Sequence, residues 1–151
     1  MVNPVEQPEV NPHFEPSERL FRRVPLEDVE NGFISNASIR LPAFSVDRET
    51  YLVNGSADSL RKHPSMGLIW FHVEDIPPTL ISDNGDRFDF GVEHRPEEDN
   101  PAHSEVLSYR DGIEASKLPD GVKKKFRDAL RLKIPPSRMA RGPNPFPRGQ
   151  S

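Results

Sequence analysis

The sequence predicts an α+β fold: a small antiparallel sheet of three to four strands, a C-terminal amphipathic helix, and proline-rich arms at both ends. Three observations predict it. Residues 67–74, GLIWFHVE, send apolar side chains to both sides, the pattern of a strand covered on both faces. Asn84-Gly85 stands between two extended stretches as the turn of a hairpin. Val122, Phe126, Ala129 and Leu130 follow the three-and-four spacing of a helical stripe over Asp120–Lys133.

In chain order, residues 1–17 carry Pro4, Pro8, Pro12 and Pro16, which favours an extended or irregular arm. The body spans 18–133. RLFRRV reads as a first strand closed by Pro25, and GFISNASIR and AFSV as short extended pieces around Pro42. Ser45 or Asp47 is placed to cap a short helix, DRETYLV, ended by Asn54-Gly55. Ser56 caps a second through ADSLRKH, stopped by Pro64. After the strand from Gly67, Pro77-Pro78 forces a break, and TLISDNGDRFDFGVEH forms the hairpin. In its second limb Phe88, Phe90 and Val92 alternate with Arg87, Asp89 and Glu93, one face buried and one wet. RPEEDNPA leads into another strand, HSEVLSY. The helix Asp120–Lys133 follows, with Asp120 and Lys133 both suiting the helix dipole. Residues 134–151, with five further prolines, form a second arm.

Charge divides the chain unevenly. Residues 1–121 hold 11 Lys/Arg against 23 Asp/Glu, a balance of −12, whereas 122–151 hold nine against one, a balance of +8. Separated fields of this kind act on partners more than on the fold. The basic helix and arm are therefore the expected partner-binding surface: Lys123, Lys124, Lys125, Arg127, Arg131, Arg138, Arg141 and Arg148, with Met139 and Phe146 as apolar anchors. A protein partner fits better than nucleic acid, since the acidic body repels phosphate and no aromatic-interleaved basic patch appears. The absence of cysteine fits a reducing compartment. The apolar run around MGLIWF is far below the ~20 residues of a membrane span, and the acidic, proline-punctuated start is the reverse of a signal peptide. A cytoplasmic protein with no membrane contact is expected.

Catalytic signals are sparse. His103 and Glu105 share a strand face about 7 Å apart, and His94, ending the preceding strand, completes a candidate set for a metal or for proton transfer. The spacing matches no metal motif, and no cofactor is called for. His72 reads as an interior histidine. No serine has a glycine-flanked elbow, which argues against a nucleophilic serine, and no glycine-rich loop precedes a helix.

Three patches, LFRRVP at 20–25, SVDRE at 45–49 and DNPAH at 99–103, resemble a group of small uncharacterised bacterial proteins found near mobile-element and defence-type gene clusters. The resemblance covers roughly residues 20–109 and implies a partner encoded by a neighbouring gene. An arginine on a first strand, a serine-bearing second segment and a later strand glutamate also resemble the NAD-binding order of ADP-ribosyltransferase-like domains. That resemblance implies Arg22 or Arg23, Ser35 or Ser38, and Glu105 as site residues. The function expected from sequence is thus a non-enzymatic interaction protein of a bacterial gene cassette. The alternatives are an NAD-consuming or metal-assisted enzyme centred on Arg22, His94, His103 and Glu105, and nucleic-acid binding by the basic arm.

Overall fold

Period-two alternation along the chain builds a single antiparallel sheet, larger than the three to four strands expected. The computed structural model describes residues 13–52 and 66–141. Its strands are β1 (Arg19–Val24), β2 (Phe44–Arg48), β3 (Gly67–His72), β4 (Thr79–Ile81), β5 (Arg87–His94), β6 (His103–Arg110), β7 (Ile113–Glu114) and β8 (Met139–Arg141). Their order is β4-β5-β6-β2-β1-β3-β8, with β7 folded back onto β6. Among the described residues two α-helices accompany them, α1 (Leu26–Asn31) and α2 (Asp120–Arg131). The fold is α+β, and the C-terminal helix stands where its stripe predicts.

Helix α2 covers one face, called inner below. Val122, Phe126 and Leu130 are fully buried, and the Phe126 ring meets Phe44 of β2 and Phe90 of β5 at centroid distances of 6.3 and 4.8 Å. Leu20, Val24, Val46, Ile69, Phe71, Phe88 and Val106 complete that layer. On the outer face Phe21, Leu68 and Trp70 form a smaller buried cluster, with Leu52 and Ala140 against it. This is why β3 reads as apolar on both sides.

The structure departs from the sequence reading at several elements, each for a local reason. Residues 32–40 are not extended. Buried Asp28 of α1 accepts from the Ser35 N–H at 3.0 Å, the Ser35 hydroxyl at 3.1 Å and the Ser38 hydroxyl at 2.6 Å, drawing the loop into a 3-10 turn at Asn36–Ser38. No helix starts at Asp47; β2 runs on through Arg48 and is followed by a 3-10 turn, Glu49–Tyr51. In the hairpin turn only Gly85 takes a positive φ, 86°, and Asn84 does not. Gly67 lies so close under α1 that a Cβ there would collide with Cγ2 of Val29. Residues 134–141, assigned from sequence to the C-terminal arm, fold as a 3-10 turn and β8, which pairs with β3. The helix expected at 57–63, and the arms at 1–12 and 142–151, lie outside the described residues.

The two halves of the sheet meet at a narrow seam. β1 and β2 share only two register pairs, Leu20 with Arg48 and Phe21 with Asp47. A buried ion pair closes this seam. Arg48, 1% exposed, forks onto Glu18 through Nε at 2.9 Å and Nη2 at 2.7 Å. Its Nη2 also donates to the His13 carbonyl at 2.7 Å, and its guanidinium lies 3.8 Å from the Phe14 ring centroid. Burial pushes the Glu18 carboxyl up, but hydrogen bonds from Arg48 and Thr50 outweigh this and hold it below its ordinary range.

Replacing Glu18 with Gln removes the charge facing a buried guanidinium and should cost about 3–5 kcal/mol in urea unfolding at neutral pH. The sign of the pH effect follows from the lowered folded-state pKa. Stabilisation by Glu18 is complete above the unfolded value of about 4.3 and is lost as pH falls from there through the folded value. Glu18→Gln should lack that acid-side slope.

Candidate functional site

Past the Phe21–Asp47 pair, β1 and β2 part, leaving a notch that Arg22 fills. Its Nε donates to the Ser38 carbonyl at 2.5 Å and its Nη1 to the Ser45 carbonyl at 2.6 Å, while the guanidinium lies 5.2 Å from the Phe44 ring centroid. Burial first, then the like charges of Arg40 and Arg23, lower its pKa to about 10. Arg23 is half-buried and Arg40 exposed. Among the described residues none of these three arginines has a carboxylate partner.

Beside the notch, on the outer face, strand alternation places Ser45 of β2 with His103 and Glu105 of β6; Ser45 and Glu105 are register partners. The His103 Nε2 is 3.3 Å from the Ser45 hydroxyl, and its Nδ1 is 2.8 Å from the Arg95 carbonyl. A carbonyl only accepts, so Nδ1 carries the hydrogen of the neutral ring. The Nε2 lone pair then faces Ser45, whose hydroxyl donates to it.

Arg95 is itself held from three sides. Its Nη2 lies 3.2 Å from both Glu93 and Glu114, and its Nη1 3.6 Å from Glu105. Burial works against its charge, but hydrogen bonds to Glu114 and Glu93 more than offset this, and its pKa is raised. The Tyr109 hydroxyl donates to Glu93; burial and that bond push the phenol well above its ordinary range. A continuous polar chain therefore crosses four strands, from Tyr109 through Glu93 and Arg95 to His103, Ser45 and Arg22. What it can do chemically is accept a proton from Ser45 beside an unneutralised positive notch.

No protein-family model, curated protein or solved structure matches the chain.

The residues singled out from sequence are only partly brought together. His103 and Glu105 share the outer face with Ser45, whereas Arg22 lies on the Phe44 side of the sheet and reaches only the Ser45 backbone carbonyl. His94 does not join them: it pairs with Ser104 and takes the opposite face, its ring stacked on Tyr51 at 4.8 Å. Burial and the nearby Arg48 charge lower the His94 pKa, and its buried Nδ1 has no hydrogen-bond partner among the described residues. Among the described residues no group of three or more His, Asp or Glu side chains is placed to hold a metal ion. Ser35 and Ser38 are turned onto Asp28. His72 is half-buried beside Asp75, whose carboxylate accepts from the His72 N–H at 2.8 Å.

The basic surface divides in two. Arg127 donates to the Ile39 carbonyl at 3.0 Å, and Arg131 to the Ile34 carbonyl at 2.8 Å and to Asn36. Arg138 pairs with Asp75 at 2.8 Å, Arg141 with Glu30, and Met139 packs against the core. Lys123 is half-buried, whereas Lys124 and Lys125 are exposed, bonded to Asp128 at 2.6 Å and the Ile81 carbonyl at 2.9 Å. Phe146 and Arg148 lie outside the described residues. Among those described, no helix is long and apolar enough to cross a membrane.

Ser45 escaped the sequence reading because its partner lies 58 residues away on a strand whose adjacency no local pattern encodes. The signal that was available is the shared period of His103 and Glu105. Long-range proton–nitrogen NMR above the histidine titration range should show His103 as the Nδ1–H tautomer. Arg95→Met, which frees the carbonyl-bearing residue from its three carboxylates, should mix the two tautomers.

Proposed function

We propose that the protein binds a small ligand bearing phosphate or carboxylate groups at the notch between β1 and β2. The observation that carries this reading is the gathering of Arg22, Arg23 and Arg40 without a carboxylate partner among the described residues. It is notable in a segment, 1–121, that holds about twice as many acids as bases. Two unit charges at 4 Å repel by about 1 kcal/mol in water and by more where solvent is excluded. An anion relieves that repulsion, and planar guanidinium groups grip oxyanions in paired hydrogen bonds.

Calorimetry at low salt with inorganic phosphate, pyrophosphate and NAD tests this reading. Heat should appear with a polyanion, weaken as salt rises, and vanish in Arg23→Gln/Arg40→Gln. No heat with any of the three ends it, and binding of NAD well above pyrophosphate favours the NAD-consuming alternative.

A second reading rests on a different surface: a protein partner with an acidic face docks on α2 and the segment 142–151, which carries Phe146 and Arg148. It is supported by the outward Lys124 and Lys125 and by a concavity of about 350 Å³ in which Lys123, Lys124, Arg127 and Arg131 outnumber Asp120 and Asp128. Because β8 belongs to the sheet, the informative truncation removes 142–151 only. That deletion combined with Lys124→Glu/Lys125→Glu should abolish co-purification with neighbouring gene products; unchanged capture refutes this reading. A gel shift that weakens with salt would instead mark nucleic acid as the partner.

A further inference from the structure

From the Ser45–His103 geometry we infer that Ser45 is a nucleophile activated by His103, acting on carboxylic esters that carry an anionic group. The choice of an anionic substrate rests on the arginine notch; the nucleophile–base pair stands on its own geometry.

Three features of a working pair are present together. The hydroxyl is exposed and hydrogen-bonded to the imidazole, at 3.3 Å. The imidazole is fixed in the base-competent tautomer by a carbonyl at 2.8 Å. The residue supplying that carbonyl, Arg95, has its own N–H bonded to the His103 carbonyl at 3.0 Å and its side chain paired with Glu93, Glu105 and Glu114. A serine in a strand with no role beyond packing would need none of this. The charged groups around the pair are Asp47 and Glu105, the register partners of His103 and Ser45, and Arg95. Asp47 is turned to the Asn100 amide at 2.8 Å, and Glu105 to Arg95.

The step balances with water as the only co-reactant. The Ser45 oxygen attacks the ester carbonyl carbon while its proton passes to His103 Nε2. Collapse of the tetrahedral intermediate breaks the bond to the leaving alcohol, which takes that proton. Water, deprotonated by His103, then attacks the acyl-serine; the bond to the Ser45 oxygen breaks, that oxygen takes the proton back from His103, and the acid leaves. Arg23, on the same face as Ser45, and Arg40 hold the substrate's anionic group, and the positive field of the notch opposes the charge that develops on the carbonyl oxygen.

The absence of cysteine allows a clean test in the full chain. A fluorophosphonate should add one label to the wild type, on the peptide containing Ser45, about a hundredfold more slowly after His103→Gln. Mono-4-nitrophenyl succinate should be hydrolysed faster than neutral 4-nitrophenyl acetate, and Ser45→Ala should abolish both labelling and hydrolysis. Ser45→Cys serves as a second variant. Its lone thiol should react with iodoacetamide faster than that of Ser45→Cys/His103→Gln, and should prefer iodoacetate when Arg23 and Arg40 are intact. An unlabelled Ser45, or a Ser45→Cys thiol indifferent to His103, overturns the nucleophile. A nucleophile that His103 accelerates but that shows no preference for the anionic ester or iodoacetate overturns the anionic substrate and leaves the pair standing.

Discussion

The two-pair seam between β1 and β2 is the constraint on which the rest of the molecule depends. It joins β4, β5, β6, β7 and β2 on one side to β1, β3 and β8 on the other, and a ladder of two register pairs supplies few backbone hydrogen bonds for that task. The Arg48–Glu18 fork reinforces it where the strands still pair. The inner-face rings do the rest: Phe44 of β2 contacts Phe71 of β3 at 6.5 Å and Phe126 of α2 at 6.3 Å, so apolar packing bridges the halves where the backbone does not. A buried ion pair is weak evidence of net stabilisation compared with an apolar substitute. Its effect here is better understood as register, since a one-residue slip of β2 would turn Arg48 from Glu18 to the opposite face.

The same seam creates the notch. Where β2 leaves β1, the Ser45 carbonyl loses the neighbour that a longer ladder would give it, and a carbonyl without a partner is costly when buried. Arg22 supplies the missing donor and satisfies Ser38 as well. The arginines of α2 act alike, Arg127 and Arg131 donating to the carbonyls of Ile39 and Ile34. Guanidinium groups in this protein thus stitch irregular backbone to regular elements, which explains why much of the positive charge read from sequence as a docking surface faces the protein's own loops.

The strands and helix with an unbroken period were legible in the sequence. β5 and α2 repeat over enough residues for one period to dominate, β3 was readable from its apolar run, and β1 and β6 from extended stretches bounded by Pro25 and by the RPEEDNPA loop. The elements that were missed are those decided by a single distant contact. Asp28 organises 32–40 by hydrogen bonds that no periodicity announces, Arg48 extends β2 by finding Glu18, and β8 is strand because Met139 and Ala140 meet β3. The site followed the same rule. The shared face of His103 and Glu105 is a property of one strand and could be read. The meeting of His103 with Ser45, and the separation of His94 from both, depend on which strands are neighbours.

The position of the polar chain across the sheet follows from these constraints. Trp70, Phe21 and Leu68 occupy the outer face over β1 and β3, and the polar and charged residues of that face gather over β2, β5 and β6. Glu93, Glu105 and Glu114 are held there by Arg95, whereas among the described residues the arginines at the notch have no carboxylate partner, although acids outnumber bases in residues 1–121. Arg23 lies on the Ser45 face and Arg22 on the opposite one, so the parting of β1 from β2 sets both the cationic charge at the seam and the edge of β2 on which Ser45 meets His103, and one gap in the ladder accounts for both features.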